Sequence, residues 1–234
     1  MLKACLNGGV TRAQRAAVPI TPAELAADAV RCAAAGAGAV HVHPRDRTGV
    51  ESLAAHDIGA AVEAIRTAAT GLPIGVSTGA WIAPDPTARI RAIQAWTVLP
   101  DFASVNVHEE GAVEVGQALH RLGVGVEAGV WTVDAMAAYA RWSVPCVRVL
   151  VECMAADEAR ALADAAAMLA LVPRGSPPVL LHAEGPAAWS VLRDAIRRGL
   201  DSRVGLEDVR NFPDGQPAPD NVSLVVTARG VGAH

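Results

Sequence analysis

"TPAELAADAVRCAAAGAGAVHVHP", residues 21–44, carries a complete helix signal followed at once by a strand signal. It opens with a threonine suited to N-capping, then a proline, then a glutamate three residues after the threonine, which together mark a helix start. Gly36 marks the helix end, because glycine readily takes the left-handed conformation found there. The next run, "AVHVHP" (39–44), is apolar and β-branched. We therefore predict a helix that leads directly into a buried strand.

The same alternation of strand-like and helix-like stretches runs along the whole chain. The strand-like runs are "KACLN" (3–7), "AVHVHP" (39–44), "PIGVST" (73–78), "FASVNV" (102–107), "GVGVEAG" (123–129), "CVRVLVE" (146–152), "VLLHAEG" (179–185) and "RVGLED" (203–208). Continuous apolar runs indicate parallel strands that are buried on both faces. Eight such units, each followed by a helix-sized stretch, predict an α/β fold, a single-domain (β/α)8 TIM barrel. A doubly wound open sheet is the alternative, but the chain has neither a glycine-rich dinucleotide fingerprint nor a P-loop.

The predicted domain covers residues 1–234 and has a short irregular C-terminal end. A loop, "VRNFPDGQPAP" (209–219), follows the last strand, and a short segment then runs to His234. No Gly/Ser-rich linker or low-complexity tract divides the chain.

Composition narrows the function classes. The 234 residues are 52% hydrophobic and carry a net charge of −4, with charges of both signs spread along the chain. That balance favours neither a nucleic-acid partner nor a membrane partner, and no apolar run is long enough to span a bilayer. The four cysteines form no CxxC motif and the N-terminus lacks the zones of a signal peptide, so we predict reduced, mostly buried thiols and a cytoplasmic location.

Polar residues stand at the end of every predicted strand, and in a parallel barrel those ends form the active-site face. They are Asn7, His41, His43, Arg45, Ser77, Thr78, Ser104, Asn106, Glu127, Glu152, His182, Glu184, Arg203, Glu207 and Asp208. Structural salt bridges readily explain a few of these residues. They explain less readily why every predicted strand ends in one.

His41 and His43 are two apart on a strand and therefore project from the same face. Two imidazoles at this spacing can reach one ion, and a catalytic zinc site adds a third protein ligand. Glu207 is the best candidate, because strands two and eight both flank strand one in a closed barrel. His182 is its rival, and a pair of core histidines bonded to backbone is the structural alternative.

The last strand-like run also supplies Arg203 and Asp208. Arg203 and Glu207 are four apart and are predicted to face inward, while Asp208 turns toward the barrel mouth. This pattern predicts a carboxylate-binding arginine, a metal ligand and a general base. An acidic pair that caps a helix, next to a surface arginine, explains the spacing equally well.

Three further features complete the predicted site. The loops after Ser77 and Thr78, and after Ser104 and Asn106, suit carboxylate or oxyanion binding, although ordinary loop capping is the alternative. Glu127 lies inside an apolar run, where an unpaired charge is costly, and we predict a catalytic role for it in contact with a metal-bound group, an arginine or a substrate polar atom. A structural salt bridge inside the barrel is the alternative. Arg45 and Asp46 are predicted to form a salt bridge within a loop.

Over essentially its whole length the chain resembles the β-keto acid cleavage enzymes, the family of the 3-keto-5-aminohexanoate cleavage enzyme. The motifs that carry the resemblance are "LNGGVTRAQ…VPITPAEL", "GAVHVHPRD", "GVSTGAW", "PDFASVNVHEEG", "GVGVEAGVW" and "RVGLED", in this order. The family fold is a (β/α)8 barrel, in agreement with the alternation described above.

The resemblance implies specific roles for these residues. It implies a Zn²⁺ ion held by His41, His43 and Glu207. Asp208 matches the family's catalytic aspartate and Arg203 its orienting arginine. Ser77 matches the serine that holds the substrate carboxylate, and Ser104 replaces a threonine and keeps the hydroxyl.

The reaction implied by the resemblance joins a β-keto acid and acetyl-CoA and yields acetoacetate and a new acyl-CoA. It proceeds by Claisen condensation and retro-Claisen cleavage. A homo-oligomer, either a tetramer or a dimer, is also implied.

Three positions depart from the family pattern. Gly9 stands about where the named member has an acid that meets its substrate's amino group, so we expect a neutral or apolar substrate tail. Gly129 replaces a second glutamate on strand five, and Val209 replaces an asparagine. Two alternatives remain open: a metal-dependent barrel aldolase or lyase that needs no CoA, and a non-catalytic barrel that binds small molecules.

Overall fold

The computed structural model describes residues 1–234 as eight strand–helix units. The strands are β1 (Leu2–Cys5), β2 (Ala39–Val42), β3 (Ile74–Ser77), β4 (Phe102–Asn106), β5 (Gly125–Val130), β6 (Arg148–Cys153), β7 (Val179–Ala183) and β8 (Ser202–Val204). The helices are α1 (Pro22–Ala34), α2 (Ala55–Ala68), α3 (Pro86–Gln94), α4 (Ala112–Arg121), α5 (Val133–Tyr139), α6 (Glu158–Ala170), α7 (Ala188–Arg198) and α8 (Asn221–Gly230).

All the strands are parallel, and they pair in the order β7-β6-β5-β4-β3-β2-β1-β8. Backbone hydrogen bonds also link the two ends of this order: Leu181 N–H donates to Asp201 O at 2.9 Å, and Asp201 N–H donates to Val179 O at 3.1 Å. The hydroxyl of Ser202 donates to Leu181 O at 2.9 Å across the same seam. The sheet therefore closes on itself, and the prediction of a (β/α)8 TIM barrel is confirmed.

Alternation along each strand separates an apolar outside from a polar inside. On β2, Val40 and Val42 belong to the buried apolar cluster under the helices, whereas His41 on the strand and His43 just beyond it occupy the alternate positions. On β6, Val149 and Val151 likewise pack outward. Because side chains alternate between the faces of a strand, the polar strand residues are collected inside the barrel.

Two details of the C-terminal part differ from the predictions. Strand β8 ends at Val204, so Glu207 and Asp208 lie on a turn beyond it rather than along the strand. That turn is closed by Asp208 N–H and Val209 N–H, which both donate to Gly205 O. The segment after the loop contains α8, whose first turn is capped by the Asp220 side chain.

The capping signals of α1 act as predicted. Thr21 accepts a hydrogen bond from Glu24 N–H, and the Glu24 carboxylate accepts one in return from Thr21 N–H. This reciprocal pair satisfies two of the free N–H groups at the helix start.

The cysteines are all free thiols, with Cys5, Cys32 and Cys153 buried and Cys146 only half-buried just before β6. None of the eight helices combines the length and apolar character needed to cross a bilayer.

Candidate active site

His41, His43 and Glu207 converge at the carboxyl ends of the strands. His41 lies on β2, His43 lies directly after that strand, and Glu207 lies on the turn after β8; only β1 stands between β2 and β8. His41 Nε2 lies 4.0 Å from Glu207 Oε1, and His43 Nε2 lies 3.6 Å from Glu207 Oε2. One ligand atom from each residue lies within 4.8 Å of the others. The structure thus brings together the three residues that were predicted to bind a metal.

The loop after β1 fits closely beneath Glu207. Gly8 has a φ of +49°, and a Cβ atom there would overlap the side chain of Glu207. The Arg45 guanidinium holds this loop by donating to Gly8 O at 2.6 Å and Val10 O at 2.9 Å. The predicted salt bridge between Arg45 and Asp46 is therefore wrong, since Arg45 binds backbone carbonyls and Asp46 accepts from Thr48 and Val50.

The two histidines differ in their protonation. Burial lowers the pKa of His41 to about 3, which keeps its ring neutral. Burial also acts to lower the pKa of His43, but the carboxylates of Glu207 and Glu51 outweigh it and raise that pKa to about 9. The pKa of Glu207 is held well below its usual range, since Arg203 and the histidines outweigh the effect of burial.

Glu51 supports the cluster and was not predicted from the sequence. Its carboxylate contacts His43 Nδ1 and accepts a hydrogen bond from the Trp81 indole N–H at 3.3 Å. Trp81 also stacks on His43 with ring centroids 6.2 Å apart. A carboxylate on the far nitrogen of a ligating histidine fixes the ring and its tautomer. Glu51 lies in a loop rather than at a strand end, so the strand-end rule missed it.

Arg203 connects the carboxylates on the β8 side of the barrel. Its Nη2 donates to Asp208 Oδ1 at 2.6 Å and lies 3.0 Å from Glu207 Oε1. Its Nε donates to His182 Nδ1 at 3.2 Å. Burial, reinforced by Glu207 and Glu152, raises the pKa of Asp208 despite the nearby arginine. Asp208 Oδ2 is buried and has no hydrogen-bond partner in the protein.

His182 lies apart from the proposed ion ligands. Its Nε2 is 3.0 Å from Glu152 Oε2, and its Nδ1 accepts from Arg203. It is therefore in contact with Arg203 rather than with His41 and His43.

Cys5, Glu207 and Asp208 form a second group of side chains that could ligate a metal. Burial raises the pKa of the Cys5 thiol well above its ordinary value.

Three of the four predicted substrate-binding residues reach the cleft above this cluster. Ser77, Ser104 and Asn106 line it, and Asn106 is held by a 2.9 Å hydrogen bond to Glu109. Thr78 instead donates to Ser104 O at 2.7 Å and ties β3 to β4, because it follows Ser77 and points away from the cleft.

Gly129, one of the departures from the family pattern, makes room for a neighbour. A Cβ at this position would meet the side-chain oxygen of Asn106. The amide of Asn106 therefore fills the space that a larger residue on β5 would take.

Glu127 does not reach the cleft. It is fully buried inside the barrel, where its carboxylate accepts hydrogen bonds from Lys3 Nζ at 2.5 and 2.7 Å and from Arg148 Nη1 at 3.1 Å. Burial acts to raise the pKa of Glu127, but the two cations lower it to about 2. Its surroundings are those of a structural salt bridge, which was the alternative to a catalytic role.

The cleft itself has a volume of about 400 Å³. His41, His43, Arg203 and Glu207 line it, together with Glu51. Apolar side chains also line the cleft, namely Trp81, Trp131, Leu150 and Met154. A cleft of this size, with a few charged and polar groups among apolar side chains, is typical of a small-molecule binding site.

Comparison with known proteins gives one family match that covers the whole chain. A model described as "BKACE: beta-keto acid cleavage enzyme" matches residues 1–234.

Solved structures of several enzymes share the fold. ObcA bound to oxaloacetate superposes with a TM-score of 0.70 at 19% identity, covering 92% of this chain and 64% of that one. ObcA with a C4-CoA adduct and oxalate gives 0.69 at 18% identity, covering 91% and 63%. 3-Dehydroquinate dehydratase from Geobacillus kaustophilus HTA426 gives 0.68 at 12% identity, covering 100% and 92%. This chain thus spans less than two thirds of the ObcA length, and the likeness is one of fold.

Proposed function

This chain belongs to the beta-keto acid cleavage enzyme family, and from that premise we propose that it transfers an acyl group from a β-keto acid to CoA with the help of Zn²⁺. Acetyl-CoA is the proposed co-substrate and acetoacetate the proposed product. The observation that carries the proposal is the convergence of His41, His43 and Glu207 beside Arg203 and Asp208. ObcA structures with oxaloacetate and with a C4-CoA adduct are consistent with this class of substrate.

The residues present fit a zinc ion. Two nitrogens and one carboxylate form a typical catalytic zinc set that leaves a position open. Bonds of about 2.0–2.2 Å keep two ligands of one ion within about 4.4 Å of each other. The nitrogen–oxygen distances of 3.6 and 4.0 Å lie within that limit. Glu207 Oε2 is buried and has no hydrogen-bond partner, as expected for an atom that faces a cation.

When bound there, Zn²⁺ supplies a Lewis acid that polarises the β-ketone and stabilises enolate and alkoxide charge. Arg203 and Ser77 bind and orient the substrate carboxylate, and Ser104 and Asn106 donate further hydrogen bonds from β4. Glu51 holds the ring of His43 through its Nδ1 atom.

Asp208 moves the proton. It takes a proton from C2 of the keto acid, and that carbon attacks the acetyl carbonyl as the carbon–sulfur bond of acetyl-CoA breaks. The released CoA thiolate then attacks the C3 carbonyl, and the bond between C2 and C3 breaks. Asp208 returns the proton to C2, which leaves acetoacetate and the new acyl-CoA. The 2.6 Å hydrogen bond from Arg203 holds Asp208 in place through both transfers.

We propose a neutral or apolar substrate tail. The loop that carries Gly9 offers no acid to the cleft, whereas Trp131, Leu150 and Met154 offer apolar surface. Cleavage of a panel of β-keto acids with acetyl-CoA, read by acetoacetate formation, tests this choice. Acids with neutral tails should react faster than amino-bearing ones, and the reverse order would contradict the assignment.

Elemental analysis tests the metal. We expect about one zinc per chain in the wild type, loss of zinc in Glu207→Ala, and retention in Glu63→Ala, an exposed carboxylate on α2 that serves as the matched control. A wild type that is folded and active without zinc would refute the metal assignment.

The two alternatives predict other outcomes. A barrel lyase consumes keto acid at the same rate without acetyl-CoA, and a binding protein consumes none. Gly129 in place of a glutamate is the feature that favours a non-catalytic binding protein. The side chain of Asn106 fills the space at Gly129, so a polar group remains in the cleft.

A further inference from the structure

The regular pairing of β1 with its two neighbours stops short of two of the proposed metal ligands. The register of β1 with β2 ends where Cys5 pairs with His41, and its register with β8 ends where Ala4 pairs with Val204. The other two proposed ligands, His43 and Glu207, lie beyond these last pairs. The regular strand pairing therefore leaves their positions to other contacts.

The side chain of Asn7 continues the register between β1 and β2. Its Nδ2 atom donates to His43 O and its Oδ1 atom accepts from His43 N–H, both at 2.8 Å. Asn7 and His43 each lie two residues beyond Cys5 and His41, the last regular pair. An amide side chain carries a donor and an acceptor, as the backbone does. Asn7, which is fully buried, thus replaces the backbone of a neighbouring strand at His43.

Asn221 continues the register on the other side of β1, although it comes from a helix outside the barrel. It is the first residue of α8 and is fully buried. Its Oδ1 atom accepts from Leu206 N–H at 2.7 Å, and its Nδ2 atom donates to Leu6 O at 2.8 Å. Leu6 and Leu206 each lie two residues beyond Ala4 and Val204. This second amide therefore bridges the pair at which β1 and β8 would next meet.

The amide of Asn221 has only one orientation that suits its partners. Leu206 N–H can only donate and Leu6 O can only accept, so the reversed amide would lose both bonds. The second N–H of Nδ2 is also used, since it donates to Asp28 Oδ2 at 2.7 Å, and Arg31 in turn donates to Asp28 at 2.6 Å. A buried amide whose donors are all paired is a rigid link.

The two amides act on neighbouring residues of one segment. Asn7 is bonded to His43, and Leu6, the residue before Asn7, is bonded through Asn221 to the residue before Glu207. His43 Nε2 and Glu207 Oε2 face each other at 3.6 Å. Both of these ligands are thus joined to the end of β1 by one buried side chain each.

We propose that Asn7 and Asn221 are positioning residues for the metal site, and that their amides set the separation of His43 and Glu207. The inference rests on the zinc site of the proposed function. Neither asparagine lines the cleft, so each acts through a ligand rather than on the substrate. Groups that hold a ligand in place contribute strongly to metal affinity.

Zinc affinity and the absorption spectrum of bound Co²⁺ test the proposal. Asn7→Ala and Asn221→Ala should each lower zinc affinity by at least about tenfold in competition with a chromophoric chelator, because each releases the backbone beside a ligand. Each should also shift the visible bands of the cobalt-loaded protein, which depend on the coordination geometry of the ion.

Ser202→Ala is the matched control. The buried Ser202 hydroxyl also bonds a strand backbone, Leu181 O at 2.9 Å, but it does so at the seam between β7 and β8. The substitution should lower the urea concentration at the unfolding midpoint and leave zinc affinity and the cobalt spectrum unchanged. Asn221→Ser, whose side chain is too short to bridge both segments, replaces Asn221→Ala if that variant does not fold.

The outcomes separate positioning from the premise. Wild-type zinc affinity and an unchanged cobalt spectrum in folded variants of both asparagines would overturn the proposal. An equal loss of affinity in Ser202→Ala would also overturn it, since the cause would be general destabilisation. A wild type that binds neither zinc nor cobalt would overturn it through its premise. The expected losses in a protein that cleaves no keto acid would support the positioning role and refute the proposed reaction.

Discussion

At the scale of single residues, charged side chains deep inside the barrel have a structural role. Those in the cleft wall are available for chemistry. Lys3 and Glu127 are fully buried and neutralise each other inside the barrel. His41, His43 and Glu207 lie in the cleft wall, where His41 Nδ1 and Glu207 Oε2 have no hydrogen-bond partner. Both groups look alike in the sequence, because each is a polar residue in an apolar run.

Lys3→Met should therefore damage stability more than it damages the site. Removing one partner leaves the Glu127 charge buried with only Arg148, and we expect a loss of about 3 kcal/mol in the free energy of unfolding, measured in urea at pH 7. The control is Arg12→Met, which breaks the exposed pair with Glu24 and should cost less than about 1 kcal/mol. Equal losses of unfolding free energy in the two variants would show that the buried pair stabilises the protein no more than the exposed pair does.

Glu184 should make the stability of the protein depend on pH. Burial, together with Asp208 and Glu152, raises its pKa from 4.5 to about 7. Between those pH values the folded state holds a proton that the unfolded chain has lost, so stability falls as pH rises through this window. With allowance for partial exposure, Glu184→Gln should stabilise the metal-free protein by about 1–2 kcal/mol at pH 8.

At pH 4 the glutamate is protonated in both states, so the same Glu184→Gln substitution should have little effect on urea unfolding. Glu63→Gln, on an exposed face of α2, should change neither measurement. A stabilisation by Glu184→Gln that is equal at both pH values would contradict the assigned pKa.

At the scale of elements, the loop after β1 and the turn after β8 set the position of Glu207. The turn places the carboxylate over Gly8, where only a residue without a Cβ fits. Arg45, from the loop after β2, fixes the Gly8 loop by its carbonyl bonds. Three chain segments thus position one proposed ligand.

Gly8→Ala should therefore lower zinc affinity by at least about tenfold, as loss of a support to a ligand does. Competition with a chromophoric chelator measures the affinity. Gly71→Ala is the matched control, since Gly71 also has a positive φ, +82°, but has no atom within 4 Å of the Cβ position. It should cost about 1 kcal/mol of stability through backbone strain and leave zinc affinity unchanged. The same zinc affinity in both variants would disprove the steric argument.

A line of contacts across β6, β7 and β8 should hold Arg203. His182 accepts from Arg203 Nε and lies beside Glu152. His182→Leu should lower kcat by about tenfold with zinc content unchanged, whereas His182→Gln, which retains an acceptor, should recover part of the rate. Loss of zinc in His182→Leu would instead indicate a role at the metal.

Much of the fold and of the candidate site was predictable from the sequence. The contacts that were not predictable share one cause. The barrel, the co-facing of His41 and His43 and the approach of Glu207 follow from strand periodicity and strand order. The partners of Glu127 do not, because Lys3 is 124 residues away and its salt bridge depends on the register of distant strands. Glu51 was missed for a similar reason, since a loop conformation brings it to His43.

At the scale of the whole molecule, closure of the barrel produces the cleft that His41, His43 and Glu207 line. The seam between β7 and β8 brings the turn after β7 beside the loop after β8, and β1 brings β2 within reach of Glu207.

The central claim is that the zinc-loaded protein joins the acetyl group of acetyl-CoA to carbon 2 of the keto acid. Incubation with acetyl-CoA labelled with carbon-13 at both acetyl carbons, followed by NMR of the products, tests it most directly. The account predicts label at carbons 3 and 4 of acetoacetate and none in the acyl group of the new thioester. Unlabelled products formed at the same rate without acetyl-CoA, or label in the new acyl-CoA, would contradict it.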